Sequence, residues 1–186
     1  LFAWSGSGVT PHRVWPIAPD VHTLERRWSI LTKETDVGRK ELLFQSDSDR
    51  TPIRKVSVNL GQHEVRSEAI AQDLGPIVPP VRYSFRSFDR QWIIPDHRLL
   101  SRARPDLWKT LSDHQVYLTA IERSPVSSGP AVTLTNLLPD CDHYHGRGGR
   151  VYPLWSNAQA TQPNIRKELL NLLAAQYGVH VVAEDV

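Results

Sequence analysis

No methionine and only one cysteine, Cys141, occur in 186 residues. A lone thiol excludes an internal disulfide framework and suits a reducing cytoplasm, the expected location. The chain opens Leu-Phe-Ala-Trp, which reads as a piece of a longer polypeptide. No apolar run approaches the roughly 20 residues of a bilayer span, and nothing resembles a signal peptide, so no membrane partner is expected. Enzyme signatures are missing too: there is no Walker loop, no GxSxG, no HExxH and no Asn-Pro-Pro-aromatic tetrapeptide of an amino-methyltransferase. Gly6 and Gly8 could cradle a phosphate, but neither GxGxxG nor Gly-Lys-Ser/Thr follows them. A catalytic site complete within this chain is not expected.

What is present is an ordinary globular composition with an unusual distribution of charge. At 40% hydrophobic and 23% charged residues the chain is long enough for one well-buried domain over 1–186. Its net charge of +2 conceals a segment from Arg82 to Arg104 that carries +4, leaving −2 elsewhere. Of 22 basic residues 17 are arginine, which suits planar, bidentate recognition, although a GC-rich coding bias would give the same excess.

The stretch VRYSFRSFDRQWIIPDHRLLSRARPDL, residues 81–107, dominates the reading. It sets Arg82, Arg86, Arg90, Arg98, Arg102 and Arg104 among Tyr83, Phe85, Phe88 and Trp92. Alternation predicts a strand with Arg82, Ser84 and Arg86 on one face and Tyr83 and Phe85 in a core. Parity changes at Phe88, so Asp89-Arg90 is expected to turn or bulge before Trp92–Ile94 returns as a second strand. His97–Leu107 reads as an irregular basic loop, because Arg104-Pro105 excludes a helix through that point.

Around this stretch the pattern predicts mixed elements. His12 and Arg13 follow Pro11 on an expected exposed turn. Asp20 or Thr23 caps a helix whose Val21, Leu24, Trp28 and Leu31 share a face. Asp36–Phe44 is a second short helix, Ile53–Leu60 a strand, and Glu64–Leu74 a helix stopped by Gly75 and Pro76. Asp47 and Asp49 alternate as in a calcium loop, but the other ligand positions are missing. Gln115–Ile121 and Ala131–Leu138 are strand candidates, as are Val151–Trp155 and Val179–Val182. Asn164 caps a packing helix, 164–178, that ends at Gly178.

The run Asp140–Arg150 is the second chemically suggestive stretch. Cys141, His143 and His145 alternate and could present metal ligands together, but no second ligand pair lies elsewhere in the chain. Otherwise His143, His145, Arg147 and Arg150 form a Gly-rich loop suited to phosphates or base edges.

The run RYSFRSFDRQWIIPDHRLLSRARPDLW resembles the Y-R-x-F-D-x-R-W signature, followed by R-P-R, of the C-terminal specificity region of type ISP restriction-modification enzymes and related helicase-methyltransferase proteins. SGSGVTPHRVW is similar to that family's Gly-Val-x-(Thr/Pro)-x-Arg element, and GGRVYPLW to its Tyr-Pro-Leu-aromatic strand. Two positions depart from the pattern: Ser87 stands where Pro is expected, and Gln91 separates Arg90 from Trp92.

The resemblance implies an α+β, mostly antiparallel target recognition domain with packed helices, in which residues 1–19 form the junction to an upstream methyltransferase domain. It implies double-stranded DNA as partner, together with methyltransferase and helicase-like domains of the same polypeptide. S-adenosylmethionine, ATP and Mg would belong to that parent protein and not to this chain. Expected DNA contacts are Arg82, Arg86, Arg90, Arg98, Arg102 and Arg104, with His143, His145, Arg147 and Arg150 as a second element. Two other classes stay open: a metal-dependent nuclease built on Cys141, His143 and His145, and a protein-docking module of a large ATPase whose Arg and Trp anchor an interface.

Overall fold

Two four-stranded sheets share one apolar core in the computed structural model, which describes residues 1–121, 132–143 and 148–181. The chain begins with β1 (Gly6–Ser7) and β2 (Ile17–Ala18). Helix α1 (Val21–Lys33) starts where the Asp20 carboxylate accepts the Thr23 N–H at 2.7 Å, and it buries Leu24, Trp28 and Leu31. Asp36 caps α2 (Val37–Phe44) in the same way. Both helices stand as expected, because the caps satisfy orphan donors just before an amphipathic run.

The hairpin follows: β3 (Val81–Arg86) and β4 (Asp89–Ile93) pair antiparallel, with Arg82 opposite Trp92 and Ser84 opposite Arg90. The register shifts between Ser84 and Arg86, and the turn lies at Ser87-Phe88, just before the Asp89-Arg90 position expected. A 3-10 turn (His97–Leu99) and a short helix α3 (Pro105–Trp108) come next. Pro105 opens that helix at its first turn, where its missing N–H is not needed. The expected irregular loop is therefore partly helical.

β5 (Tyr117–Ile121) and β6 (Val132–Thr135) pair antiparallel, and β7 (Leu138–Pro139) runs parallel to β3. The single strand expected over Ala131–Leu138 is thus divided. Its first part joins the sheet ordered β1-β8-β5-β6, with β8 at Gly149–Pro153, and its second joins β2-β4-β3-β7. Tyr83, Ile93 and Leu138 of one sheet meet Tyr117 and Val151 of the other in the core. The α+β, mostly antiparallel expectation holds.

Other expectations fail for physical reasons. Ile53–Leu60 forms no strand, having no neighbour to pair with, and Ile53 and Val58 face solvent. Glu64–Leu74 is helical only in a 3-10 turn at Ile70–Gln72, because side-chain ion pairs hold this segment instead of helical hydrogen bonds. Asn164 caps nothing: buried, it donates to the Trp4 and Pro153 carbonyls, both at 2.8 Å, and accepts the Trp4 N–H at 2.9 Å. Helix α4 (Lys167–Tyr177) follows Arg166 as its N-cap residue and has no buried residue, so it stays outside the core. Of the terminal strand expected over Val179–Val182, the first three residues form no strand and Val182 lies outside the described residues.

Candidate functional site

The hairpin is anchored at its root and open at its tip. Tyr83 and Ile93 are fully buried, whereas Arg90 is exposed and Phe88, in the two-residue turn, is 101% exposed. Residues paired across an antiparallel ladder share a face, so Arg82, Trp92 and Arg90 stand on one side of the ribbon. The Arg82 guanidinium lies 5.2 Å from the Trp92 ring centroid, a cation–π contact that fixes its plane. Arg82 and Trp92 also form one wall of a cleft of about 650 Å³, completed by His63, Trp108, His114 and Asn136.

Arginine and aromatic do not simply alternate between faces as expected. Ser84 is buried with Tyr83, because Thr135 and His143 cover it: Thr135 Oγ1 donates to Ser84 Oγ at 3.2 Å, and His143 Nδ1 lies 3.1 Å from that hydroxyl.

Asp140 organises the base of the tip. It accepts Tyr83 Oη at 2.5 Å, Arg86 Nη1 at 2.8 Å and the Asp142 N–H at 2.7 Å. Burial pushes its carboxyl above the usual range, partly offset by the Tyr83 hydrogen bond. Arg86 also lies 4.0 Å over the Phe85 ring, so its guanidinium is held but half-exposed. Ser87 Oγ donates to the His143 carbonyl at 3.0 Å, tying the turn to the loop after β7. Gly8 belongs to this packing and not to phosphate chemistry: a Cβ there would collide with the Asp140 carbonyl.

The structure withdraws two expected contacts. Arg98 is only 1% exposed and donates through Nε and Nη2 to Asp96, through Nη2 to Asp73 at 2.8 Å, and through Nη1 to the Glu68 carbonyl at 2.9 Å. Its charge is neutralised inside the core. His143 is 2% exposed, and burial lowers its pKa, so it braces Ser84 as a neutral ring. Arg13, expected on an exposed turn, is likewise buried, with Asp47 and the Leu99 carbonyl as partners.

The remaining positions differ among themselves. Arg102 is exposed, and its backbone bonds with Thr10 fix its place. Arg104 is half-buried in a left-handed conformation, φ 57°, just before α3. Arg150 donates from Nε to Ser5 Oγ at 2.9 Å. His145 and Arg147 lie outside the described residues, and with His145 goes one member of the candidate metal set of Cys141, His143 and His145. Among the described residues no three His, Cys, Asp or Glu side chains gather to hold a metal, and no helix is long and apolar enough to cross a membrane.

Sequence reading missed the roles of Phe88 and Asp140. The parity change at Phe88 was the available signal for an exposed tip. Nothing local marked Asp140, whose side-chain partners Tyr83 and Arg86 lie more than fifty residues away.

A family profile described as the Type ISP C-terminal specificity domain matches residues 1–186. Three solved structures share the fold. The ATP-dependent Type ISP restriction-modification enzyme LlaBIII bound to DNA aligns with TM-score 0.62 and 17% identity over 100% of this chain and 12% of that one. The DrdV–DNA complex aligns with TM-score 0.59 and 16% identity over 99% and 18%. A nuclease-deletion mutant of the Type ISP enzyme LlaGI, in complex with a DNA substrate mimic, gives TM-score 0.54 and 13% identity over 94% and 15%. The chain therefore spans less than a fifth of each. No curated protein matches it.

Proposed function

Since this chain belongs to the Type ISP C-terminal specificity domain family, we propose that it is the module that recognises sequence in double-stranded DNA for a restriction-modification enzyme. The observation that carries this reading is the β3–β4 hairpin, a rigidly rooted ribbon with Arg82 and Arg90 on one face. Past Ser84 and Trp92, where β7 and β2 stop pairing, the hairpin tip is a two-stranded ribbon, a shape that fits the major groove, where arginine donates bidentately to guanine O6 and N7. Arg82, set against the Trp92 ring, is the base reader on that face, and Arg86, Arg90, Arg102 and Arg104 add cationic reach toward phosphates, which fix register without reading bases. The solved relatives bound to DNA or a DNA mimic support this assignment. Adenine-N6 methylation with S-adenosylmethionine, and steps that use ATP and Mg, are assigned on this reading to other domains of the parent polypeptide. This chain supplies contacts and no catalytic group.

The test is the salt dependence of duplex binding. With Arg86, Arg90, Arg102 and Arg104 on phosphates, log affinity should fall with log salt at a slope of roughly −3 to −4. A randomised duplex pool then separates the arginines. Alanine at a phosphate-holding position weakens all sequences alike, whereas alanine at a base-reading position relaxes preference at one base pair. A flat salt response in the wild-type chain overturns the reading.

A further inference from the structure

Phe88 is the most exposed large apolar side chain described in the protein, and it stands at the end of the hairpin that carries the arginines. A lone exposed phenylalanine on an ordinary surface needs no explanation. This one is presented. Every residue beside it is braced: Arg86 is held on Asp140 and over Phe85, Ser87 donates to the His143 carbonyl, and Gln91 Nε2 donates to Asp89 Oδ1. A turn tied to the body through Arg86 and Ser87, with Asp89 held by Gln91 inside β4, presents its tip ring to water before any partner arrives, so the backbone needs little ordering on binding. Arg86 and Arg90 lie two residues to either side, and the strands of a ribbon are only about 4.8 Å apart, so the tip can pass between phosphate rows. At the floor of a groove, a rigid apolar ring flanked by cations is placed to wedge into a base step, exchanging water for a base face.

We infer that Phe88 is a base-stacking wedge, inserted at one step of the bound duplex while Arg86 and Arg90 hold phosphates on either side. This rests on the DNA-recognition reading and adds to it a distorted step that no arginine contact would produce.

The experiment uses the full chain and a duplex it selects from a randomised pool, with 2-aminopurine moved through the duplex one position at a time. Binding of wild type should brighten the probe at one or two adjacent positions. Phe88→Ala should abolish the brightening and weaken binding about tenfold, leaving the salt slope and the melting temperature unchanged, since no charge or buried contact is lost. Phe88→Tyr should restore the brightening. Wild-type binding with a steep salt slope but no brightened position, including the case of a ring merely touching a thymine methyl, overturns the wedge and spares the recognition reading. So does Phe88→Ala with wild-type affinity and brightening, which would also be the result if the ring docked on protein. A wild-type chain that shows no salt-dependent binding overturns both.

Discussion

Arg90 and Arg98 are eight positions apart in the same basic stretch, yet one stands in solvent and the other is only 1% exposed. The difference lies in the acids each can reach. Arg98 finds Asp96 two residues earlier and Asp73 brought in from a separate segment, whereas Arg90 forms no ion pair among the described residues. Arg13 repeats the buried pattern with Asp47. Arginine density therefore marks two different devices here: a cationic ribbon offered to a partner, and ion clusters that hold irregular segments without helical or sheet hydrogen bonds. Withdrawing Arg98 with Asp96 leaves the charge of residues 82–104 unchanged, so the electrostatic expectation survives the loss of one contact.

The largest effect should come from breaking the buried device. Arg98→Ala leaves Asp96 and Asp73 without their shared cation and should cost about 3–5 kcal/mol in urea unfolding. Arg98→Lys should recover little, because a single ammonium cannot reproduce the fork that spans Asp96, Asp73 and the Glu68 carbonyl. DNA affinity per folded molecule should not change. If Arg98→Ala instead left stability intact and lowered the salt slope, the distinction between the two halves would collapse.

Acid should separate the halves next, because arginines do not titrate but the buried half carries histidines. Burial lowers the pKa of His97, of His63 packed edge-on to Trp108, and of His143. A lowered histidine pKa means that its contribution to stability is complete above the ordinary value of 6.5 and is lost as pH falls through the folded value. Asp140, raised by burial, has the opposite sign: its contribution is present below the ordinary carboxylate value and lost as pH rises through its folded value. Asp73 is opposed by burial but lowered overall by Arg98, so its contribution lasts until the carboxylate range is reached. The urea midpoint should therefore drop as pH falls below the ordinary histidine value of 6.5 and through the lowered histidine values, while the salt slope of binding to the hairpin stays constant over the upper part of that range.

The same contrast explains what was legible in the sequence. Helix α1, helix α2 and the hairpin announce themselves through Asp20, Asp36 and the alternation around Tyr83, all local signals. Glu64–Leu74 reads as helix from its own residues, but Asp73 is claimed by Arg98 and Arg66, a tertiary contact that no window contains. The division of 131–138 between two sheets, and the burial of Ser84 beneath His143, also depend on partners remote in sequence. Charge could be counted from the sequence; its accessibility could not.

On the exposed side, Arg90→Ala should reduce the salt slope by about 0.9 if the arginine neutralises one phosphate, with unfolding free energy changed by less than about 0.5 kcal/mol. Arg102→Ala, at another exposed position, supplies a second case. A substantial loss of stability from either would show that the exposed half also serves the fold.

The smallest effect is expected at Cys141. Its backbone is committed, since the Cys141 N–H donates to the Val9 carbonyl at 2.7 Å and its own carbonyl accepts the Gly149 N–H at 2.8 Å. Those bonds fix the backbone at Cys141 and do not involve the thiol, which is half-buried and free. Serine keeps the backbone and nearly the volume, so Cys141→Ser should shift unfolding by no more than about 0.5 kcal/mol and leave DNA affinity unchanged. A thiolate ligand behaves differently, because metal binding energy in a structural site is folding energy. The discriminating measurement is therefore zinc content alongside the melting curve of both proteins. Stoichiometric zinc in wild type, lost in Cys141→Ser with a collapse of the melting transition, would make Cys141 a metal ligand.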